Sequence, residues 1–167
     1  MSGNPLLTRL NLADIFLPEN VIIGLAQKPK LEVIKDLIGR LVENRKIPQE
    51  SELAIGQLVL GREKIGSTAL GNGIAFPHCR SDVINDFVGA VAVDSRGVDF
   101  DALDKSLVQV VFLLIGPFSN REHYFDLLGR INSIGSHKAI RLLLASCKSP
   151  DAVTRLLRKL DAENEFK

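Results

Sequence analysis

Residues 61–80, GREKIGSTALGNGIAFPHCR, bring an imidazole, a guanidinium, a hydroxyl pair and a glycine-rich turn close together in the chain. Neutral imidazole is a competent phosphoryl acceptor near pH 7, because its unperturbed pKa is ~6.5. His78 follows Pro77, which fixes its own backbone and pushes Phe76 toward extended geometry. The ring therefore stands at a rigid exit from a strand into a loop, where active-site residues gather. Arg62 can clamp an anionic group through paired N–H donors. It equally suits the end of a predicted helix, where the dipole favours a cation whether or not it binds anything. Gly71-Asn72-Gly73 lets backbone N–H groups approach an anion, yet it reads more simply as an ordinary turn, since Asn and Gly tolerate positive φ. Taken alone, His78 reads more readily as a structural histidine than as a reactive one.

Further along, His123 falls in the first turn of another predicted helix. It either belongs to a solvated polar face or aims a second imidazole at the His78 site, with helix N–H groups helping to hold negative charge. His137 also lies near a helix start, has no accompanying motif and reads as structural. Cys79 raises a thiol nucleophile or a metal site. Adjacent residues of an extended segment point to opposite sides, so Cys79 and His78 should not share a site. Cys147 has no ligand-spaced partner. HExxH, CxxC and HxH spacings are absent, as are GxSxG, Walker A and GxGxxG motifs. Asp99, Asp101 and Asp104 read as a solvated turn rather than a calcium loop. These residues call for neither a metal nor a cofactor.

The elements that must position these groups follow from periodicity. Asn11 to Leu17 suits a short turn of helix, and Val21 to Leu25 a first strand. Leu31, Ile34, Leu37, Ile38, Leu41 and Val42 recur at helical spacing. A second helix starts near Pro48, which suits a first helical position, takes Leu53, Leu58 and Leu60 as its apolar residues and ends near Gly61–Glu63. Ile74 to Phe76 reads as a strand ending at Pro77. Phe87 to Val93 is an unbroken apolar run, fitting a strand buried on both faces. Val98 and Phe100 suit a small separate strand after a Ser95-Arg96-Gly97 turn, and Leu107 to Gly116 a second strong one. Ser119 and Glu122 suggest a capping box ahead of a helix with Tyr124, Leu127, Leu128, Ile131 and Ile134 on one side. Ser136 can cap another helix, with Ile140, Leu143 and Leu144 on its face. Ser149-Pro150 starts a third, with Val153, Leu156, Leu157 and Leu160 facing in. Helices, then strands, then helices predict an α/β fold, a mixed sheet with helices packed on it.

At 167 residues the chain suits one domain over 1–167, with its core at about 12–160. Hydrophobic residues make up 46 % and aromatics only 5 %, so the core is aliphatic. A net charge of +1 gives no footprint for nucleic acid. The two cysteines read as free thiols in a reducing compartment. Met1 to Leu17 lacks a signal-peptide pattern, and Val110 to Ile115 falls far short of the ~20 apolar residues of a membrane span. The expectation is a cytoplasmic protein without membrane insertion.

REKIGSTALGNGIAFPH, residues 62–78, resembles the active-site segment of phosphotransferase-system IIA proteins of the fructose/mannitol/nitrogen-regulatory class, nearest the nitrogen-regulatory branch. The resemblance extends to FVGAVAV, to D-x-L-D-K-S-L-V leading into VVFLLIGP, and to the R-E-H helix start. It implies a single α/β domain with a mixed sheet flanked by helices. It places the phosphorylated histidine at His78, acting through Nε2, the facing histidine at His123 and a pocket arginine at Arg62. Cys79 stands where a Gly is common, and Phe76 where a smaller aliphatic residue is common.

The resemblance implies a phosphocarrier that takes its phosphoryl group from an HPr-type donor. Its phosphorylation states would be read by a sensor kinase, a potassium-transport protein or a stringent-response protein. A carbohydrate IIA that passes phosphate to a IIB domain is the nearest rival. An interaction module never phosphorylated on His78 is a more distant one, and a thiol enzyme at Cys79 comes last.

Overall fold

A computed structural model describes residues 8–163. The long apolar runs form the centre. β4 (Val88–Val98) and β5 (Val108–Gly116) pair antiparallel, Val91 opposite Phe112 and Val93 opposite Val110. β1 (Val21–Ile23) adds parallel to β4. Two short pieces, β2 (Ile74–Ala75) and β3 (His78–Arg80), add parallel to the other side of β5. The result is a mixed five-stranded sheet.

Strand alternation sends side chains to two cores. Ala90, Ala92, Val111, Leu113 and Ile115 pack under α2 (Lys30–Glu43) and α3 (Glu52–Ile65). Val91, Val93, Val110, Phe112 and Leu114 pack with α1 (Leu12–Ile15), α4 (Arg121–Ser136), α5 (Lys138–Ala145) and α6 (Pro150–Glu163). Burial on both faces is why the β4 and β5 sequences run apolar without alternation. Pro150 opens α6 as expected, with Ser149 Oγ accepting the Ala152 N–H at 3.2 Å.

Several expectations need correction. β4 does not stop at Val93: it runs through a bulge, with Gly97 at φ +74°, so that Val98 pairs with Val108 in the same ladder. Leu53 and Leu58 of α3 are exposed, because the inward stripe is Ile55, Val59 and Glu63, at i, i+4 and i+8. Pro48 precedes a 3-10 turn (Gln49–Ser51) rather than opening α3. No Ser119–Glu122 capping box forms: α4 begins after Asn120, whose side chain turns to His123 instead. Ser136 ends α4, leaving His137 as the residue before α5.

Candidate functional site

Pro77 interrupts the edge strand rather than ending it. It lacks an N–H, so a ladder bond is lost there, but its carbonyl still accepts the Leu114 N–H at 3.1 Å. The strand then resumes, with His78 beside Leu114 and Cys79 beside Ile115. His78 is thus the first residue of a second strand, not a loop residue. Across the break the alternation holds: Ile74 and Phe76 face the α4 side, while Ala75 and Cys79 face α2 and α3. Cys79 is buried away from His78, and burial pushes its thiol pKa up to about 12. A thiol held protonated in this way is no nucleophile.

The His78 ring is held on three sides. Its Nδ1 lies 2.7 Å from the Phe76 carbonyl. A carbonyl only accepts, so Nδ1 carries the proton and Nε2 keeps the lone pair in the neutral ring. Phe76 stacks beside the ring at 6.0 Å and 13°. Tyr124 of α4 meets it edge-on at 5.9 Å. The close approach of that helix depends on Gly116, where a Cβ would lie 2.7 Å from Phe87 and 2.9 Å from Tyr124.

Burial pushes the His78 pKa below its ordinary 6.5. The bond to the Phe76 carbonyl opposes that shift, the Arg62 charge reinforces it, and Glu63 opposes it. The ring therefore stays neutral, with Nε2 available, to lower pH than a free imidazole. We expect its ring protons to titrate in NMR with a midpoint below 6.5, moving up in Arg62→Met; a midpoint at or above 6.5 would contradict the packing. The sign for stability follows. Between the folded value and 6.5 the unfolded chain binds more protons, so this group's contribution is full above 6.5 and is lost as pH falls through the folded value.

Arg62 lies in the last turn of α3, its Nη1 donating to the Gly66 carbonyl at 2.9 Å. The loop beyond is tied by Glu63. That buried carboxylate accepts from the Thr68 N–H at 2.9 Å, the Thr68 hydroxyl at 2.8 Å and Lys30 Nζ at 2.8 Å. The Ser67-Thr68 pair therefore shapes the loop that carries Arg62. Gly71-Asn72-Gly73 lies at the opposite end of β2 from His78, with Asn72 and Gly73 both at positive φ. The Asn72 N–H already donates to the Asp104 carboxylate at 3.1 Å, so this turn is structural.

His123 is not in direct contact with His78: no hydrogen bond or ring contact joins them among the described residues. The His123 ring meets Phe87 at 6.5 Å. Its Nε2 lies 2.9 Å from the Thr8 carbonyl and its Nδ1 3.3 Å from Asn120 Oδ1. Facing a carbonyl, Nε2 carries a proton. His137 bonds the Ser133 carbonyl at 2.8 Å within its own helix turn, in keeping with a structural role.

Three neighbours of His78 were not singled out from the sequence: Phe76 as a stacking ring, Tyr124 as an edge contact, and Arg80. Period-2 counting from His78 reaches both Phe76 and Arg80, while Tyr124 sits on the inward stripe of α4. An open groove of about 980 Å3 between α2 and residues 83–88 is lined by none of His78, Arg62 and His123.

Both the sequence and the fold match known proteins. Residues 14–160 match the family model described as "Phosphoenolpyruvate-dependent sugar phosphotransferase system, EIIA 2". A nitrogen regulatory protein of Pseudomonas aeruginosa is 32% identical over 158 residues, 93% of this chain and 98% of that protein. The crystal structure of the nitrogen regulatory protein IIA-Ntr from Neisseria meningitidis superposes with a TM-score of 0.77 at 26% identity, covering 87% of this chain and 98% of the other. The mannitol enzyme IIA of Escherichia coli, solved in complex with phosphorylated enzyme IIB, gives a TM-score of 0.69 at 25% identity, covering 84% and 95%. The matched span runs from α1 to the last turns of α6 and takes in both the broken edge strand and the helix that packs on it. The chain therefore belongs to the EIIA 2 family of the phosphoenolpyruvate-dependent sugar phosphotransferase system, as a IIA component of that system.

Proposed function

We propose that His78 is the phosphoryl acceptor of a nitrogen-regulatory IIA, charged by the phosphohistidine of an HPr-type carrier. The observation that carries this reading is the Nδ1 bond to the Phe76 carbonyl, which leaves Nε2 as the ring's nucleophile. The Nε2 lone pair attacks phosphorus while the P–N bond on the donor breaks and its electron pair returns to the donor imidazole. Such a transfer is loose and metaphosphate-like, so the protein's work is positioning and charge stabilisation. Arg62 supplies the cation. His123 supplies an N–H at Nε2, which exchanges the Thr8 carbonyl for a phosphoryl oxygen.

The output is regulatory in this reading, because the full-length relatives are nitrogen regulatory proteins. Partners would bind one phosphorylation state. By family analogy they are a sensor kinase, a potassium-transport protein or a stringent-response protein.

Incubation with phosphoenolpyruvate, enzyme I and an HPr-type carrier should load one acid-labile phosphate, and His78→Ala should take none. Equal loading of that variant would overturn the assignment. A second reading, transfer onward to a sugar-permease IIB, is favoured by the mannitol IIA neighbour solved with phosphorylated IIB. Phosphate moving from this protein onto a fructose- or mannitol-type IIB would select it over the regulatory one.

A further inference from the structure

Among the described residues, the half-buried and buried lysines and arginines share a pattern that Arg80 breaks. Lys28 meets Asp36 at 2.6 Å, Lys30 meets Glu63 at 2.8 Å, Lys46 meets Glu19 at 3.9 Å and Arg130 meets Asp161 at 2.6 Å. Arg40 donates to the Val21 carbonyl at 3.0 Å, Arg62 to the Gly66 carbonyl at 2.9 Å, and Arg141 to the Asn72 carbonyl. Arg80 alone of this group has no protein oxygen partner. Asp82, two residues on, and Glu122, in the first turn of α4, are exposed, and neither pairs with it.

What Arg80 has instead is an aromatic seat. Its guanidinium lies over the Phe118 ring at 5.3 Å and over the Tyr124 ring at 5.5 Å. Tyr124 is also the ring that meets His78 edge-on. His78 and Arg80 are two residues apart on β3, so both point to the α4 side and flank one phenol ring. Stacking on aromatic faces holds a guanidinium without using its in-plane N–H donors. Those donors form a fork that fits phosphoryl oxygens in pairs. A half-buried cation without a counter-ion, against the same phenol ring as His78, is poised for an anion that arrives only during turnover. Phe118 is 57% exposed, so the guanidinium it carries stands at the solvent edge.

We infer that Arg80 is a second ligand of the phosphoryl group on His78, oriented by Phe118 and Tyr124 and acting opposite the clamp of Arg62. This rests on the phosphocarrier reading, and its test separates the two.

The full-length protein is treated with phosphoramidate, a small donor that removes any contribution from a docked carrier. Arg80→Met keeps the apolar stem and loses the fork. It should load His78 about tenfold to a hundredfold more slowly, the range for a charged hydrogen bond. The 31P titration midpoint of the phosphoryl group should move up, because a neighbouring cation no longer favours the dianion. Arg80→Lys should recover part of the rate. Phe118→Leu should fall between, and should add nothing in the Arg80→Met background, since both act through one group. Wild-type loading rate and an unmoved 31P midpoint in Arg80→Met would overturn the inference. So would a defect seen with the HPr-type carrier and not with phosphoramidate, which would assign Arg80 to docking. A wild-type protein that takes no phosphate on His78 from either donor would remove the phosphocarrier reading as well.

Discussion

Replacing Arg62 with methionine should slow phosphoryl transfer to His78 by about 10²–10³, the range for removing one preorganised group that stabilises developing charge. Stability should change little. Arg62 gives up one exposed bond to the Gly66 carbonyl and a favourable position at the end of α3, worth about 0.3–1 kcal/mol. The loop beyond it is held by Glu63 through Thr68 and Lys30, and none of those contacts involves the Arg62 side chain. A large rate loss with a nearly unchanged melting temperature is therefore the signature of a charge that matters in the transition state. Arg62→Lys should restore the charge without the two-pronged geometry and recover only part of the rate. A loss below about threefold in Arg62→Met would remove it from the proposed mechanism.

The second large effect concerns stability where α1, α4 and α6 meet. Asp161 on α6 accepts the Leu12 and Ala13 N–H groups at 2.9 and 3.0 Å, and the Arg130 guanidinium at 2.6 Å. It thereby caps α1 from a distant helix, since Asn11 offers no side-chain cap of its own. Arg130 is 4% exposed and also donates to the Leu10 carbonyl. Asp161→Ala leaves that buried cation with only the half-exposed Asp126 carboxylate at 3.5 Å and the Leu10 carbonyl, and leaves two helix N–H groups without their acceptor. The expected loss is about 2–4 kcal/mol, since Asp126 still offsets part of the charge, a large share of the ~5–15 kcal/mol typical of a folded domain. Denaturant unfolding should show it as a lower midpoint at unchanged slope. Replacing both residues, as in Arg130→Met with Asp161→Leu, should recover part of the loss, because no lone charge is then buried. A loss under 1 kcal/mol in Asp161→Ala would contradict the account.

The same contacts show which parts of the molecule could be read from residue order. The central strands were legible because burial on both faces leaves an unbroken apolar run, as in VGAVAV and VVFLLI. The divergence of His78 and Cys79 was legible because strand alternation is a local property. Pairing across long distances was not. Nothing local shows that β4 continues past Asp94, since Ser95-Arg96-Gly97 looks like a turn until Val98 finds Val108. Pro77 looks like the end of a strand until β5 is seen to bridge the gap. The α3 stripe misleads for a related reason: Leu53 and Leu58 are apolar and exposed, while Glu63 is charged and buried because Lys30 and Thr68 satisfy it. At the candidate site, Arg62 and His78 stood out by type and motif. Tyr124 did not, because its relation to His78 runs through a ring contact between α4 and β3, and Arg80, on the same strand face as His78, stood out only once its guanidinium was seen over Tyr124 and Phe118.

The claim that His78 accepts phosphate through Nε2 has one direct measurement. The protein, 15N-labelled at histidine, is charged from phosphoenolpyruvate through enzyme I and an HPr-type carrier and observed by 15N and 31P NMR. The account predicts a single phosphohistidine, on Nε2 of His78, with Nδ1 still protonated against the Phe76 carbonyl. Phosphate on Nδ1 of that ring, or on His123 with His78 unmodified, would contradict it.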